Sequence, residues 1–354
     1  MILSELEAGK IIDLNPKDFI DNDIAKRQFK VTLTGFNHLY QSQNNFLYIA
    51  DEVGLGKTYI AIGIASLLRH FSPNKKHYKD CIIVPKKNLQ SKWRKEIRNF
   101  ISNNYKLECN IVKTPLGTSV GLCEDENIHP RLEYINSQNP SYEIFRNTSF
   151  SISASSEDWK DKLTDQLPAF VSNIFKSAIK RFEGADGEVM LRRLYAYLLN
   201  VIMPEFDLLI VDEAHNFKHG IEGDVSYRNQ VVSRLMGAIS EDDVKIFHEF
   251  PELKDKIKPL AGKVILLSAT PLDSGVHEIA NQLDCFLPNN PYRNLTTEVK
   301  SKRLKAELGT FMIRGVMNIT LSGESMSRNR YRYEHRRGNV LKEIDAPVQN
   351  ISNP

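Results

Sequence analysis

The stretch Ala50-Asp51-Glu52-Val53-Gly54-Leu55-Gly56-Lys57-Thr58 is the most informative part of this chain for its fold class. An apolar run at residues 46–49 precedes it, and a helical pattern at residues 59–71 follows it. A strand, a glycine-containing loop and a helix in this order are the setting that a phosphate-binding loop requires. Gly54 and Gly56 have no Cβ, so the backbone can bend tightly there and approach a phosphate. The stretch therefore predicts an α/β fold that binds a nucleotide.

The side chains of the same stretch suit ATP with Mg²⁺. The loop N–H groups and the N-terminus of the following helix face the anion. Lys57 is predicted to reach the β- and γ-phosphates, and the Thr58 hydroxyl to hold Mg²⁺. The strict pattern has glycine at position 51, where this chain has Asp51, so a glycine turn with an incidental lysine is the alternative. The residues predicted to bind the nucleotide are Gly54, Leu55, Gly56, Lys57 and Thr58.

A second apolar run, at residues 206–211, ends in Asp212-Glu213-Ala214-His215. An acidic residue at a strand tip can hold Mg²⁺ opposite Thr58, and a second carboxylate beside it can orient and deprotonate the attacking water. We therefore assign Asp212 to the metal and Glu213 to the water. The alternative is a chance cluster of polar residues in a loop. The predicted catalytic residues are Glu213, Lys57 and Asp212.

A third apolar run, at residues 264–267, ends in Ser268-Ala269-Thr270-Pro271. Two hydroxyl groups at a strand tip can hydrogen-bond the acidic motif and report the state of the nucleotide. We therefore predict that His215, Ser268 and Thr270 couple the nucleotide to a partner. An ordinary turn before proline is the alternative.

A basic loop follows a fourth apolar run, at residues 81–84, and precedes an amphipathic helical pattern at residues 90–100. Ligands of open α/β sheets bind at the carboxyl ends of the strands. Lys86 and Lys87 are therefore placed to meet a phosphate backbone, although a solvated basic loop is the alternative. The predicted nucleic-acid contacts are Pro85, Lys86 and Lys87.

The composition is that of an ordinary globular protein. The chain has 354 residues, of which 41% are hydrophobic and 26% charged, and its net charge of +3 is too small to indicate nucleic-acid binding by itself. The four cysteines show no C-x-x-C spacing, which is typical of a reduced cytosolic protein without a zinc site. Because no apolar run approaches ~18 residues and no signal peptide is evident, we expect a cytoplasmic protein without a membrane span.

Two regions are less informative about fold and function, residues 1–30 and residues 101 to about 200. Residues 1–30 are polar, with turns predicted at 15–16 and 21–23, and Gln28 and Gln41 are candidates to read adenine, the alternative being solvated side chains. Strands are predicted at 110–112 and 134–137, a loop at 147–156, and helices around 159–182 and 190–199 with a break at Gly184 and Gly187. These helices are read as core or as an insertion, with partner binding as the alternative.

The C-terminal region combines arginines with aromatic residues. Such a combination suits phosphate contacts and base stacking, and it equally suits a solvated edge or the contact surface of another domain. The residues concerned are Arg314, Arg328, Arg330, Tyr331, Arg332, Tyr333, Arg336 and Arg337.

The order of these motifs resembles that of superfamily 2 helicases. The form Asp51-Glu52-x-Gly-Leu-Gly-Lys-Thr, with Trp93 in the motif after Pro85, resembles the Swi/Snf-related branch, in which aspartate at position 51 is usual. The DEAH tetrad at Asp212–His215 is also similar. Two features depart from that branch: the Ser-Ala-Thr form is closer to general superfamily 2 members, and Arg314-Gly315 stands where a pair of arginines is often found.

The resemblance implies a RecA-like P-loop lobe with a parallel sheet flanked by helices. We expect an N-terminal extension at 1–30, the ATP-binding lobe at 31–340 with a mostly helical insertion at about 105–200, and a tail at 341–354. Members of this superfamily move along DNA, here expected to be duplex, and need a second RecA-like lobe in the same or another chain. The rival hypothesis is a nucleotide-gated binding module of a defence or restriction complex without motor activity.

Overall fold

The computed structural model describes residues 2–315, apart from 19, 42–43, 75–76, 107–140, 151–159, 161–163, 165–167 and 223–224, together with 318–321 and 324–327. Its strands are β1 (Phe46–Ile49), β2 (Lys79–Val84), β3 (Ser141–Arg146), β4 (Phe206–Asp212), β5 (Ala261–Leu267), β6 (Met312–Ile313), β7 (Asn318–Leu321) and β8 (Glu324–Ser327). The helices of the first half are α1 (Glu5–Gly9), α2 (Asn22–Tyr40), α3 (Lys57–Phe71), α4 (Lys87–Asn103), α5 (Ala169–Arg181) and α6 (Gly184–Ile202). Those of the second half are α7 (Tyr227–Leu235), α8 (Val244–Glu249), α9 (Pro251–Lys254), α10 (His277–Phe286) and α11 (Thr297–Phe311), with short 3₁₀ helices at Ala214–Phe217 and Glu241–Asp243.

Within the described residues, six strands form one sheet in the order β3-β2-β4-β5-β1-β6, and every pair is parallel. β7 and β8 form a separate antiparallel pair. The central strands are nearly continuous apolar runs, as expected where helices cover both faces of a parallel sheet. The carboxyl ends of the six strands therefore lie along one edge.

Successive residues of the strands enter two different cores. Ile82, Ile210 and Ile265 lie in one cluster with residues of α2, α3 and α4. Ile83 and Val211 lie in the other, with residues of α5, α6, α7, α10 and α11. This alternation is the period-2 geometry of a strand. It confirms the predicted RecA-like α/β fold, with helices on both faces.

The N-terminal region differs from the prediction. Residues 21–23 were predicted as a turn, but Asp21 is the N-cap of α2 and its carboxylate accepts the N–H groups of Asp23 and Ile24. α2 continues to Tyr40 and so crosses the boundary expected at residue 30. Sequence reasoning missed this helix because its buried face includes the polar Gln28 and Thr32, which interrupt the apolar periodicity.

The region expected as an insertion contributes a strand to the main sheet. β3 pairs with β2 from Lys79 opposite Ser141 to Val84 opposite Arg146. The break predicted between the two helices is present, since α5 ends at Arg181 and α6 begins at Gly184 with φ +72°, although Gly187 lies within α6. The strands predicted at 110–112 and 134–137, and most of the helix predicted around 159–167, lie outside the described residues.

Two observations bear on the expectations from composition. No described helix has the length and apolar character needed to cross a membrane. Cys81 and Cys285 are buried in the core and are not in a disulfide, and burial raises the pKa of Cys285 to about 12. Cys109 and Cys123 lie outside the described residues.

Candidate active site

The carboxyl edge of the sheet brings the sequence motifs together. The phosphate loop follows β1, the acidic motif ends β4, and Ser268 follows β5, which lies between the two. With neighbouring strands about 4.8 Å apart, the ends of β1 and β4 are separated by roughly 10 Å. A triphosphate with its metal can bridge a gap of that size.

The phosphate loop has the backbone that its glycines permit. Gly54 and Gly56 have φ of +96° and +81°, a region that side chains disfavour. Gly56 is also the N-cap of α3 and provides no side-chain hydrogen bond to the helix. The N–H groups of the first turn of α3 are therefore suited to bind an anion.

Of the two candidate glutamines, Gln28 lies beside the phosphate loop. Its Nε2 donates to the carbonyl oxygen of Leu55 at 3.2 Å, and a Cβ at position 56 would come within 2.1 Å of that nitrogen. Gln28 and Tyr59 line a cavity of about 450 Å³ next to the glycines of the loop. Gln41, by contrast, is exposed at the end of α2. The geometry therefore favours Gln28 as the residue near a nucleotide base.

Lys57 lies over the loop that it belongs to. Its Nζ donates to the carbonyl oxygens of Asp51 at 2.7 Å and Glu52 at 3.2 Å. Burial lowers the pKa of Lys57 below its usual value, while the negative charges of Glu213, Asp51 and Asp212 oppose that shift. The ammonium group thus lies in the field of both predicted catalytic carboxylates.

Asp51, the departure from the strict loop pattern, is a buried anchor. Arg27 of α2 donates to its two carboxylate oxygens at 2.9 and 2.7 Å, and the backbone N–H of Gly315 donates to Oδ1 at 2.6 Å. The Asp51 side chain has no exposed surface. The carboxylate therefore ties the loop to α2 and to the chain that leaves β6.

The same cluster explains why glycine follows Arg314. A Cβ at position 315 would lie 2.1 Å from Nη2 of Arg27, which is already held by Asp51. An arginine at position 315 would displace this guanidinium. Glycine at position 315, which departs from the paired-arginine pattern, thus leaves room for the bidentate pair of Arg27 and Asp51.

We expect Arg27→Ala to lower the free energy of unfolding by about 2 kcal/mol, because the buried Asp51 carboxylate keeps only part of its hydrogen bonding. Lys26→Ala is the matched control, since the Lys26–Asp23 pair is exposed on the same helix and should change stability by less than about 0.5 kcal/mol. Urea unfolding of the three chains measures both values. Equal stability of the two variants would contradict the anchoring role of Asp51.

The acidic motif is held on both sides. Asp212 Oδ1 accepts the N–H of Glu213 at 3.0 Å, and Oδ2 accepts Nε1 of Trp93 at 2.8 Å. Glu213 has a left-handed backbone, with φ +54° and ψ +48°, and the side-chain amide of Asn216 donates to its carbonyl oxygen at 2.8 Å. Strained non-glycine backbones of this kind cluster at functional sites.

A chain of contacts joins the acidic motif to the loop after β5. Nδ1 of His215 lies 3.3 Å from Oε2 of Glu213 and 3.0 Å from Oγ of Ser268. Ser268 also accepts the backbone N–H of Thr270 at 3.1 Å. Ser268 thus contacts the acidic motif through its hydroxyl, whereas the Thr270 contact with Ser268 is made by the backbone and its side chain is exposed.

A second link between these loops was not predicted. Nζ of Lys218 lies 2.5 Å from Oδ2 of Asp273, and the Asn281 amide donates to the Lys218 carbonyl oxygen at 2.9 Å. The sequence carries no local signal for it, because the partners are 55 and 63 residues apart. The first contact joins the loop after the acidic motif to the loop after β5, and the second joins it to α10.

The predicted nucleic-acid residues lie on the same edge. Pro85 directly follows β2, the neighbour of β4, and Lys86 is the N-cap of α4. The side chains of Lys86 and Lys87 are exposed. Arg314 is half-buried after β6, and the remaining arginines and tyrosines of the predicted C-terminal cluster lie outside the described residues.

Thr58 and Asp212 fit the chemistry of Mg²⁺. Both offer oxygen ligands, which this ion prefers, and they lie at the ends of elements that meet at one edge. Among the described residues there is no cluster of three His, Cys, Asp or Glu that could hold a metal alone. Bound Mg²⁺ would therefore share Thr58 and Asp212 with phosphate oxygens and water, as is usual for this ion.

Comparison with known proteins gives one family. Residues 18–272 match the family model described as "Type III restriction enzyme, res subunit", and no curated protein matches.

The chain is similar in structure to the Sulfolobus solfataricus SWI2/SNF2 ATPase core in complex with dsDNA, with 15% identity and a TM-score of 0.43, covering 88% of this chain and 47% of that one. It is also similar to a nuclease-deletion mutant of the Type ISP restriction-modification enzyme LlaGI in complex with a DNA substrate mimic, with 14% identity, a TM-score of 0.33, and 69% and 17% coverage. The chain thus spans less than half the length of these solved structures.

Proposed function

The chain belongs to the type III restriction enzyme res subunit family and is a helicase-like ATPase domain of superfamily 2; from this premise we propose that it is the ATP-binding lobe of a motor that couples ATP hydrolysis to movement on duplex DNA. The observation that carries the proposal is the continuous chain from Glu213 through His215 to Ser268. This chain joins the residue assigned to water activation with the loop after the neighbouring strand. Such a connection is what coupling of hydrolysis to a bound partner requires.

The nucleotide would be bound by the loop and the start of α3. Backbone N–H groups at Gly54, Leu55 and Gly56 and the Lys57 ammonium would bind the phosphates, and Gln28 would contact the base. Mg²⁺ held by Thr58 and Asp212 would supply charge neutralisation at the β- and γ-phosphate oxygens.

Glu213 is proposed as the group that orients water and accepts its proton. Its carboxylate is partly exposed at the sheet edge, and His215 lies beside it at 3.3 Å. Ser268 would pass the state of this pair to the loop after β5. A second RecA-like lobe, in the same polypeptide or another chain, would complete the site with arginine side chains.

Contacts made by two residues of the resembling motifs support placement of this chain in the Swi/Snf-related branch. Asp51 is a fixed structural residue through its pair with Arg27, and Trp93 contacts the acidic motif directly. Both positions belong to the motifs that carry the resemblance. We propose the branch on this basis.

For duplex DNA, the proposed contacts are Lys86 and Lys87. We expect the double variant Lys86→Ala/Lys87→Ala to bind DNA more weakly for every sequence and to reduce the slope of log affinity against log salt by about 2, because each lysine neutralises one phosphate. Fluorescence anisotropy of a labelled duplex at several salt concentrations measures both quantities.

The control removes the same charge elsewhere. Lys176→Ala/Lys180→Ala alters two exposed lysines of α5. This helix packs on the face of the sheet opposite to α4. This variant should keep the wild-type slope. A common slope for both double variants would count against the basic loop as the DNA contact.

A further inference from the structure

Trp93 is a buried residue of α4 that contacts the predicted metal ligand. Only 1% of its surface is exposed, and its indole Nε1 donates to Oδ2 of Asp212 at 2.8 Å. The other carboxylate oxygen, Oδ1, accepts the N–H of Glu213. Both oxygens of Asp212 are therefore held, one by its own neighbour and one by a helix 119 residues away in sequence.

This arrangement orients the carboxylate without blocking it. A carboxylate oxygen has about two acceptor positions, so each oxygen of Asp212 keeps one for a metal-bound water or the metal. An indole N–H can only donate, so the Asp212 oxygen that it meets acts as the acceptor. Groups that hydrogen-bond a metal ligand in this way commonly change metal affinity by 10–100-fold when they are removed.

The helix that carries Trp93 begins at the proposed nucleic-acid contact. Trp93 lies six positions after Lys87, a distance of about 9 Å along the helix axis. The side-chain amide of Gln90, between them, donates to the carbonyl oxygen of Ile144 in β3 at 2.8 Å, and Ile97 is fully buried one turn beyond. α4 is thus fixed to the sheet on one face, and a shift at its N-terminus would reach Trp93 as movement of a packed helix.

We propose that Trp93 is a positioning residue that orients the Asp212 carboxylate and couples it to α4. A ligand at the N-terminus of α4 then changes the affinity of Asp212 for Mg²⁺ through Trp93. Because coupling between two sites is reciprocal, Mg²⁺ changes the affinity for that ligand by the same factor. This inference rests on the proposed function, since it takes Asp212 as a ligand of Mg²⁺ and Lys86 and Lys87 as contacts to DNA.

The test replaces Trp93 with phenylalanine, which keeps an aromatic ring and removes the N–H. The readout is the Mg²⁺ concentration that gives half-maximal binding of a fluorescent ATP analogue to the full chain, with and without duplex DNA. We expect Trp93→Phe to raise this concentration by about 10-fold or more and to abolish its dependence on DNA. Binding of the analogue in EDTA should stay as in the wild type.

Ile97→Val is the matched control, because it alters the buried face of the same helix without touching a hydrogen bond. It should keep the wild-type Mg²⁺ dependence. If Trp93→Phe and Ile97→Val both follow the wild type, Trp93 serves only for packing and the inference is wrong. A wild-type chain that binds the analogue and DNA, but whose Mg²⁺ dependence ignores DNA, would overturn the coupling.

A second measurement leaves Trp93 in place and covers the case in which Trp93→Phe does not fold. The sequence has two tryptophans, so Trp159→Phe leaves Trp93 as the single indole fluorophore. Its emission should change with Mg²⁺ in the presence of ATP, at the same half-saturation as analogue binding. Unchanged emission despite Mg²⁺-dependent binding would overturn the inference, whereas a wild-type chain that binds no nucleotide would overturn the proposed function itself.

Discussion

Replacing Glu213 with glutamine is expected to lower the rate of ATP hydrolysis by roughly 10²–10⁴-fold, the contribution typical of a positioned general base. The amide has nearly the shape of the carboxylate, but it cannot accept a proton from water. Glu213 is held by a strained backbone, by the Asn216 amide and by His215, so the substituted side chain should occupy the same place. Nucleotide binding should be retained, because Glu213 is assigned to the attacking water and not to the phosphates.

Single-turnover hydrolysis with the protein in excess measures even a slow rate. Glu205→Gln is the matched control: Glu205 directly precedes β4 at its opposite end and forms an exposed pair with Lys258 at 3.3 Å. This control should hydrolyse ATP at the wild-type rate. Equal rates for Glu213→Gln and the wild type would exclude Glu213 as the base. Stable occupancy by ATP without turnover in the wild type would instead favour the nucleotide-gated binding module.

Lys57→Ala is expected to weaken ATP binding by roughly 10²-fold, because charge-assisted hydrogen bonds contribute about 1.5–3 kcal/mol each. Nζ of Lys57 donates to two carbonyl oxygens of the loop, and the negative charges of nearby carboxylates act on it. Alanine removes the group that would meet the β- and γ-phosphates. Equilibrium titration with a fluorescent ATP analogue measures the loss.

Lys92→Ala separates a specific contact from a general electrostatic field. Lys92 is exposed on α4, and its positive charge contributes to lowering the pKa of Lys57. Its removal should change ATP affinity by less than about threefold, since exposed charges are screened by salt. If Lys92→Ala weakened binding as much as Lys57→Ala, charge near the loop rather than the lysine contact would determine affinity. The Lys57 and Glu213 variants together separate binding from turnover.

The parts of the fold that depend on neighbouring residues were predictable. Residues 46–49, 206–211 and 264–267 are strands because they are short apolar runs that end in polar residues, and the phosphate loop follows from two glycines before a lysine. Parallel strands place their carboxyl ends at one edge, so the placement of Lys57, Asp212 and Ser268 along one edge of the sheet also follows from the sequence. The apolar runs and the glycine loop are read from neighbouring residues, and burial of the apolar side chains stabilises the strands wherever they pack.

The polar partners between elements, by contrast, depend on the tertiary structure. Gln28 rather than Gln41 lies beside the phosphate loop because α2 packs against α3, the helix that follows the loop, and Gln28 reaches the Leu55 carbonyl oxygen. Asp51 fits the loop because Arg27 and the N–H of Gly315, 264 residues further along the chain, hold its carboxylate. Hydrophobic periodicity specifies which face of an element is buried, but a hydrogen bond needs two groups within about 3 Å. The order β3-β2-β4-β5-β1-β6 and the packing of the helices on it bring those groups together.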